Sequence, residues 1–428
     1  MLADCSRQAF NSRTMALFLT LLSIALCYFS PAELVPTLAP YHIQQFIIGL
    51  AVVVSLFVFN PARGGMKSQQ TALLMVFWFA VVMSVLSRGW LRPSLSAFLA
   101  FGLVVCIYSL VSLNAFSVAR IKIFCRVISL CAMVMAVEGI LAYFAGFQAE
   151  KLMIADRVRG YGVLNDPNDF AQFLLIGLAF LGLSWKKYHL LGNFVTVLLP
   201  ASVLIFAIYL TGSRGAIFGL AALVFVAAST RMGKGKAFLI AGVIFALLVV
   251  GKFGGGRDIS LHEGSAGGRV VAWGSGISQL KTNPLFGVGF QQFEEYNDLT
   301  AHNSFVLCFA ELGFFGYFFW LALLVTTATG LEVLAKIPAK TPEDADFSKC
   351  VTVVRAALYT FLATSWFLSR TYHETLYIIL GLAAVLITMR RNEIPSPIMP
   401  MVRWVPIAFV CMVTSVLVIY GTIRFRNF

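Results

Sequence analysis

The stretch TAHNSFVLCFAELGFFGYF, Thr300 to Phe318, sets a histidine and an asparagine directly before an apolar run. The neutral imidazole of His302 can take a proton from a hydroxyl near neutral pH. Asn303, or Thr300, can equally cap the incoming helix without doing chemistry. Glu311 lies about 14 Å further along that helix at 1.5 Å per residue. A carboxylate so deep in an apolar run needs a partner. Nine residues separate Asn303 from Gly313, and two more separate Gly313 from Gly316.

Four further stretches carry polar groups that could act on an anion or a hydroxyl. LTGSRGA, Leu210 to Ala216, turns a helical hairpin with Arg214 at its tip. Gly212 and Gly215 there let backbone approach a ligand closely. The long segment 252–302 begins glycine-rich, and from Arg269 to Leu280 it predicts an amphipathic helix stopped by Asn283-Pro284. Val270, Trp273, Ile277 and Leu280 share one face of it. Arg269, placed at the start of that helix, could combine a guanidinium with exposed amides as an anion site. DRVRGYGVLNDPNDFA, Asp156 to Ala171, holds Arg157 and Arg159 upstream of Asn168 and Asp169. SRTYHETLY, Ser369 to Tyr377, brings Arg370, His373 and Glu374 to another hairpin. Each has a plain structural alternative: a cap, a tight turn, or an arginine reaching headgroups.

The elements that must position these groups are set by composition. Of 428 residues, 59% are hydrophobic and 12% charged, with mean hydropathy +0.86. A soluble domain carries about 25% charge. Continuous apolar runs exclude a barrel and match the thickness of a hydrocarbon core. The expected fold is all-α: a polytopic integral membrane protein with 12–13 transmembrane helices. Residues 1–428 form a single transmembrane domain, with 252–302 as its one long outer loop. Spans are expected near 14–30, 43–60, 71–87, 94–113, 123–144, 169–185, 190–210, 214–230, 237–251, 303–326, 350–369, 373–389 and 404–420. Whether 404–420 crosses stays open.

Lys and Arg orient the chain with its N-terminus inside. Arg63, Arg120, Lys122, Lys186, Lys187, Lys234, Arg390 and Arg391 then fall on the inner face. The outer set is 10 Arg to 3 Lys, against 10 Arg to 9 Lys inside. Arginine's planar fork suits phosphate, so this skew points to an anionic group handled outside. All five polar clusters lie on that side. The net charge of +13 is scattered over short loops, which argues against nucleic acid and for anionic lipid or a phosphate-bearing substrate. The eight cysteines form no CxxC pair, no His/Asp/Glu set has metal-ligand spacing, and RMGKGKA and RGGMKS lack the Walker spacing. The inner loop 327–349 reads as a solvated linker.

His302-Asn303, nine residues, Gly313, two residues, Gly316 resembles the H[NSQ]-x9-G-x2-[GTY] motif of the bacterial O-antigen ligase and polymerase superfamily. GGRVVAWGSGISQLKTNPLFGVGF, LTGSRGA and NDPNDFA are similar to further segments found there, so the resemblance spans roughly 155–320. It implies a metal-independent, cofactor-free, inverting glycosyl transfer at the periplasmic face of the bacterial inner membrane. The donor would be an oligosaccharide on undecaprenyl pyrophosphate and the acceptor another glycan, with membrane lipid and other polysaccharide-assembly proteins as partners. Carried onto this chain, Arg214 and Arg269 would hold the pyrophosphate, and His302 would activate the acceptor hydroxyl. Asn303, Arg157, Arg159, Asn168, Asp169, Arg370 and His373 are the candidate substrate-binding groups beside them. Members differ in acceptor. The Asn-Asp-Pro-Asn-Asp segment favours a polymerase of exopolysaccharide or O-antigen repeats. A ligase passing polymer to lipid A core is the alternative, and a flippase or transporter of polyprenyl-linked glycan the more distant one. A transporter would want charges within several spans, and only Glu138 and Glu311 look intramembrane.

Overall fold

The computed structural model describes residues 2–58, 65–254, 264–390 and 400–426. Arg63, Arg391 and the stretch 255–263 of the long loop lie outside the described residues.

Among the described residues fourteen helices of twelve residues or more dominate, with one two-stranded ribbon. They are α1 (Leu2–Phe29), α2 (Ile43–Phe57), α3 (Gln69–Leu86), α4 (Leu91–Asn114), α5 (Val118–Ala145), α6 (Pro167–Leu181), α7 (Leu199–Leu210), α8 (Arg214–Met232), α9 (Lys234–Val250), α10 (Gly264–Thr282), α11 (Ser304–Leu334), α12 (Pro342–Ser365), α13 (Glu374–Met389) and α14 (Met401–Arg426). Each of the thirteen expected spans coincides with one of these; α10 is the loop helix. Among the described residues, ten segments are long and apolar enough to cross a membrane. Three of the expected spans fall outside that ten for physical reasons. At 17 and 16 residues, α9 and α13 are short, and α12 opens with Glu343, Asp344, Asp346 and Lys349. The chain is an all-α, multi-pass membrane protein.

The core sits among α3, α4, α6, α11, α12 and α13, where Phe77, Phe101, Phe173, Trp320, Phe361 and Tyr377 are fully or almost fully buried. By contrast α2, α7 and α14 present long apolar side chains outward, as lipid-facing helices do: Phe46, Phe57, Phe206 and Leu417 are all exposed.

One end of the bundle is clamped by ion pairs. Lys122 reaches Asp346 at 2.5 Å. Arg390 pairs with Asp344, and Glu332 with Lys234 and Arg355. These contacts revise the reading of 327–349 as a solvated linker. Asp344 closes a capping box with Thr341 that starts α12, so the segment is anchored at both flanks. The polar clusters of interest gather at the opposite end.

Candidate functional site

The site end is built by loops that bind one another. After α5 the chain forms the ribbon β1 (Met153–Ile154) and β2 (Arg157–Val158), turned by Ala155 and Asp156 at φ 46° and 59°. Arg159 folds this segment onto itself. Its guanidinium donates to the carbonyls of Lys151 at 3.0 Å, Glu150 at 3.3 Å and Asn165 at 3.5 Å. Arg157 reaches across to the α7–α8 turn, donating from Nε to the Thr211 carbonyl at 2.6 Å and from its other arm to Asn168 Oδ1 at 3.0 Å. Asp166 caps α6, accepting from Asn168 N–H at 2.8 Å. Arg370, from the α12–α13 turn, forms a two-point ion pair with Asp169 and donates to the Val163 carbonyl at 2.9 Å. Both partners of that pair are largely buried, at 15% and 12% side-chain exposure. Burial pushes the Arg370 guanidinium down to about 10.

The opening motif resolves into three tasks. Asn303 is the cap: its Oδ1 accepts from the N–H groups of Phe305 at 2.9 Å and Val306 at 3.1 Å, and the residue is fully buried. His302, just outside the helix, takes a left-handed φ of 47°, a conformation that histidine tolerates better than most residues. Gly313 breaks α11, at φ 63° and ψ −168°. That break frees backbone groups, and the Asn-Pro-Leu-Phe-Gly-Val-Gly segment takes them up. Val288 donates to the Ala310 carbonyl and Gly289 to the Glu311 carbonyl, both at 3.0 Å. In return Phe314 donates to Pro284 at 2.7 Å and Phe315 to Leu285 at 3.1 Å. A β-carbon on Gly287 would stand 2.3 Å from the Glu311 carbonyl carbon. The glycines of the two segments are thus one joint between loop and helix.

Glu311 turns out of that joint. One oxygen accepts from the Phe293 N–H at 3.1 Å and the other from the Tyr372 hydroxyl at 2.8 Å. The partner its depth demanded is therefore a backbone amide and a tyrosine from a distant hairpin.

Helix α10 begins at Gly264, five residues before Arg269. This corrects the expectation that Arg269 opens the helix, because the preceding Gly267 and Gly268 continue it rather than breaking it. Arg269 therefore lies past the first turn of the helix rather than at its first position. The predicted apolar face is real: Trp273, Ile277 and Leu280 are buried, and Trp273 Nε1 donates to the Ala301 carbonyl at 3.1 Å, one residue before His302.

Electrostatics show which groups come together. Arg269 is held below the usual arginine range by burial and by the charge of Arg214, while Asp166 opposes both. His302 is pushed down by burial and then by Arg269, while Asp166 and Glu294 pull it up. Asp166 also acts on Arg370. Arg269 thus feels Arg214 and Asp166, and His302 feels Arg269 and Asp166, so groups from four segments lie within electrostatic reach of one another. Arg214 packs against the chain after α9 as well: a β-carbon on Gly254 would stand 2.8 Å from its Cγ.

Two cavities open here. The first, of about 530 Å³, is lined by Tyr143, Asp156, Arg157, Asp166, Tyr209 and Gly212 among others. The second, of about 450 Å³, is lined by Glu294, Glu311, Arg370, Tyr372, His373 and Glu374 with Phe293 and Leu307. His302 feels one acidic wall residue of each, Asp166 of the first and Glu294 of the second. Among the described residues no group of three His, Cys, Asp or Glu side chains could hold a metal ion.

A model of the O-antigen ligase family matches residues 197–321. The matched stretch contains Arg214, Arg269, His302 and the Gly313 break, and it leaves out both the Asn-Asp-Pro-Asn-Asp segment and the Arg370 hairpin. No curated protein matches the chain.

Proposed function

We propose that this chain, a member of the O-antigen ligase/polymerase superfamily, transfers a glycan from undecaprenyl pyrophosphate to an acceptor glycan at the periplasmic face of the bacterial inner membrane. Glycosyl transfer of the O-antigen ligase/polymerase type is what the family match supports in general. What supports the finer reading is that Arg269 feels Arg214 and Asp166, while His302 feels Arg269, Asp166 of the first cavity wall and Glu294 of the second.

The first cavity suits the donor. Its Tyr143 and Tyr209 belong to an aromatic row, exposed at Tyr143, Phe144, Phe206 and Tyr209 and ending on half-buried Phe253, with successive ring centroids 5.0–6.5 Å apart. An isoprenoid chain lying along that row would bring its diphosphate to the polar end, toward Arg214 and Arg269. As the glycosidic bond breaks, the electron pair leaves with the diphosphate. Fixed guanidinium groups stabilise that growing charge. The acceptor oxygen bonds to the anomeric carbon from the opposite side, which inverts its configuration. The hydroxyl proton passes to the His302 ring, which burial and Arg269 keep neutral and ready to accept it. No metal or cofactor has a role in this scheme.

Arg157, Arg159, Asn168, Asp169 and Arg370 are already engaged with one another or with backbone, so we assign them to shaping the walls. Asn303 fixes the helix start beside His302. Polymerisation of exopolysaccharide or O-antigen repeats is the preferred reaction, on the resemblance of the Asn-Asp-Pro-Asn-Asp segment. Deletion followed by surface-glycan analysis tests it: single unpolymerised repeats are expected, whereas polymer retained on undecaprenyl pyrophosphate would mean a ligase instead.

A further inference from the structure

The second cavity contains polar groups that the transfer chemistry does not use. His373 is 8% exposed and lines the cavity wall. Its Nδ1 accepts from the Thr375 N–H at 3.2 Å as the cap of α13. The neutral ring must then carry its proton on Nε2, and Nε2 has no hydrogen-bond partner among the described residues. Glu374 approaches Nδ1 at 3.8 Å. This is not a charged pair, because burial and Arg370 hold His373 well below the ordinary histidine range. A buried donor without an acceptor is costly to leave empty.

The cavity wall also holds acceptors. Glu374, Glu311 and Glu294 all line the cavity. Among the described residues the wall has one cation, Arg370, whose hydrogen bonds go to Asp169 and the Val163 carbonyl and whose charge also acts on Glu374, so three acids share one cation already paired elsewhere. The apolar part of the wall is Phe293, Leu307 and Tyr372, and Phe77, Phe101 and Phe290 hold the Tyr372 ring from behind. The volume of about 450 Å³ lies within the roughly 300–1,000 Å³ of small-molecule sites.

We propose that this cavity is the acceptor-sugar subsite, and that it takes an uncharged, hydroxyl-rich pyranose while excluding an acidic one. Vicinal hydroxyls would donate to the carboxylates, and the apolar face of the sugar would lie on Phe293 and Tyr372. A uronate would set its own carboxylate against the glutamates. The wall includes Thr300 and Leu307, which bracket His302 in the chain, so a sugar seated here lies beside the proposed base. The inference rests on the transfer reading for the word acceptor; the sugar selectivity itself does not.

The test is saturation-transfer NMR on the full chain in nanodiscs at pH 7 and low salt. The probes are p-nitrophenyl glucoside, galactoside, mannoside and N-acetylglucosaminide, set against p-nitrophenyl glucuronide and galacturonide. At least one neutral glycoside should bind ten-fold or more tightly than its uronide, about 1.4 kcal/mol. The Glu294→Gln/Glu374→Gln variant should shrink that ratio to under three-fold. Equal binding of neutral and acidic glycosides overturns the proposal. So does absence of binding by every neutral probe, or a ratio unmoved in the double variant. Selectivity as expected with normal glycan transfer by His302→Ala would sink the transfer reading and leave a sugar site. Loss of transfer in His302→Ala without any selectivity would sink this proposal alone.

Discussion

Gly313 lies so close to Leu285 that a β-carbon would stand 2.4 Å from the Leu285 carbonyl carbon. The neighbour is backbone, so it cannot swing aside. Gly313 also holds a φ/ψ pair that is almost exclusive to glycine. Gly313→Ala should therefore lower stability by the strain alone by about 1–3 kcal/mol, and it should loosen the joint that carries Glu311. Thermal unfolding of the purified variant measures this. An unchanged midpoint would mean that the joint is not needed to hold the loop.

The Arg370–Asp169 pair ties the α12–α13 turn to the start of α6. Removing one partner from a buried pair leaves the other charge uncompensated, at about 3–5 kcal/mol. Arg370→Met and Asp169→Leu should each destabilise on that scale, while the double variant should cost less than the sum. Denaturation of the four proteins gives the coupling. Strict additivity would show that the two do not act as a pair.

The pH profile of transfer follows from His302. A base works when deprotonated, and burial with Arg269 lowers its value from the ordinary histidine value. Activity should persist below pH ~6.5, the ordinary histidine value, and fall only at lower pH. Asp166→Asn keeps the helix cap but removes a carboxylate that pulls His302 up. Its acid limb should move to still lower pH. Movement toward higher pH would exclude His302 as the titrating group.

The arginine fork makes a second kinetic prediction. Losing one donor to a developing oxyanion costs about 10²–10³ in rate. Arg214→Ala and Arg269→Ala should each do so at normal protein abundance. Lysine at either position should recover little, because it supplies a point charge instead of a bidentate fork. Release of free undecaprenyl pyrophosphate from membranes reports it, and full rescue by lysine would reduce the arginines to general counter-charge.

The helices were legible because a bilayer imposes long apolar runs, and the basic residues of short loops order them. Arg214, Arg269 and His302 were legible as types at the same end. Their mutual approach was not, because it depends on α10 starting at Gly264 and on Asp166 acting on Arg269, Arg370 and His302 together. The sequence carried a signal for the α11 break, in Gly287, Gly289 and Gly313, but glycines alone do not say which backbone they face. Tyr372 as the partner of Glu311 had no local signal: the two belong to different hairpins and meet only in the folded bundle. Arg159 and Asp169 looked like substrate groups by residue type, yet neighbouring carbonyls and Arg370 engage them.

The most direct measurement is transfer by the purified chain from a polyprenyl-pyrophosphate-linked repeat unit, followed as elongated glycan and released undecaprenyl pyrophosphate, in wild type and His302→Ala. A positioned base contributes about 10²–10⁴ in rate, so His302→Ala should lose that factor while folding normally. His302→Gln should stay equally poor, since it keeps a hydrogen bond but cannot take the proton. Wild-type transfer by a folded His302→Ala protein would contradict the account at its centre.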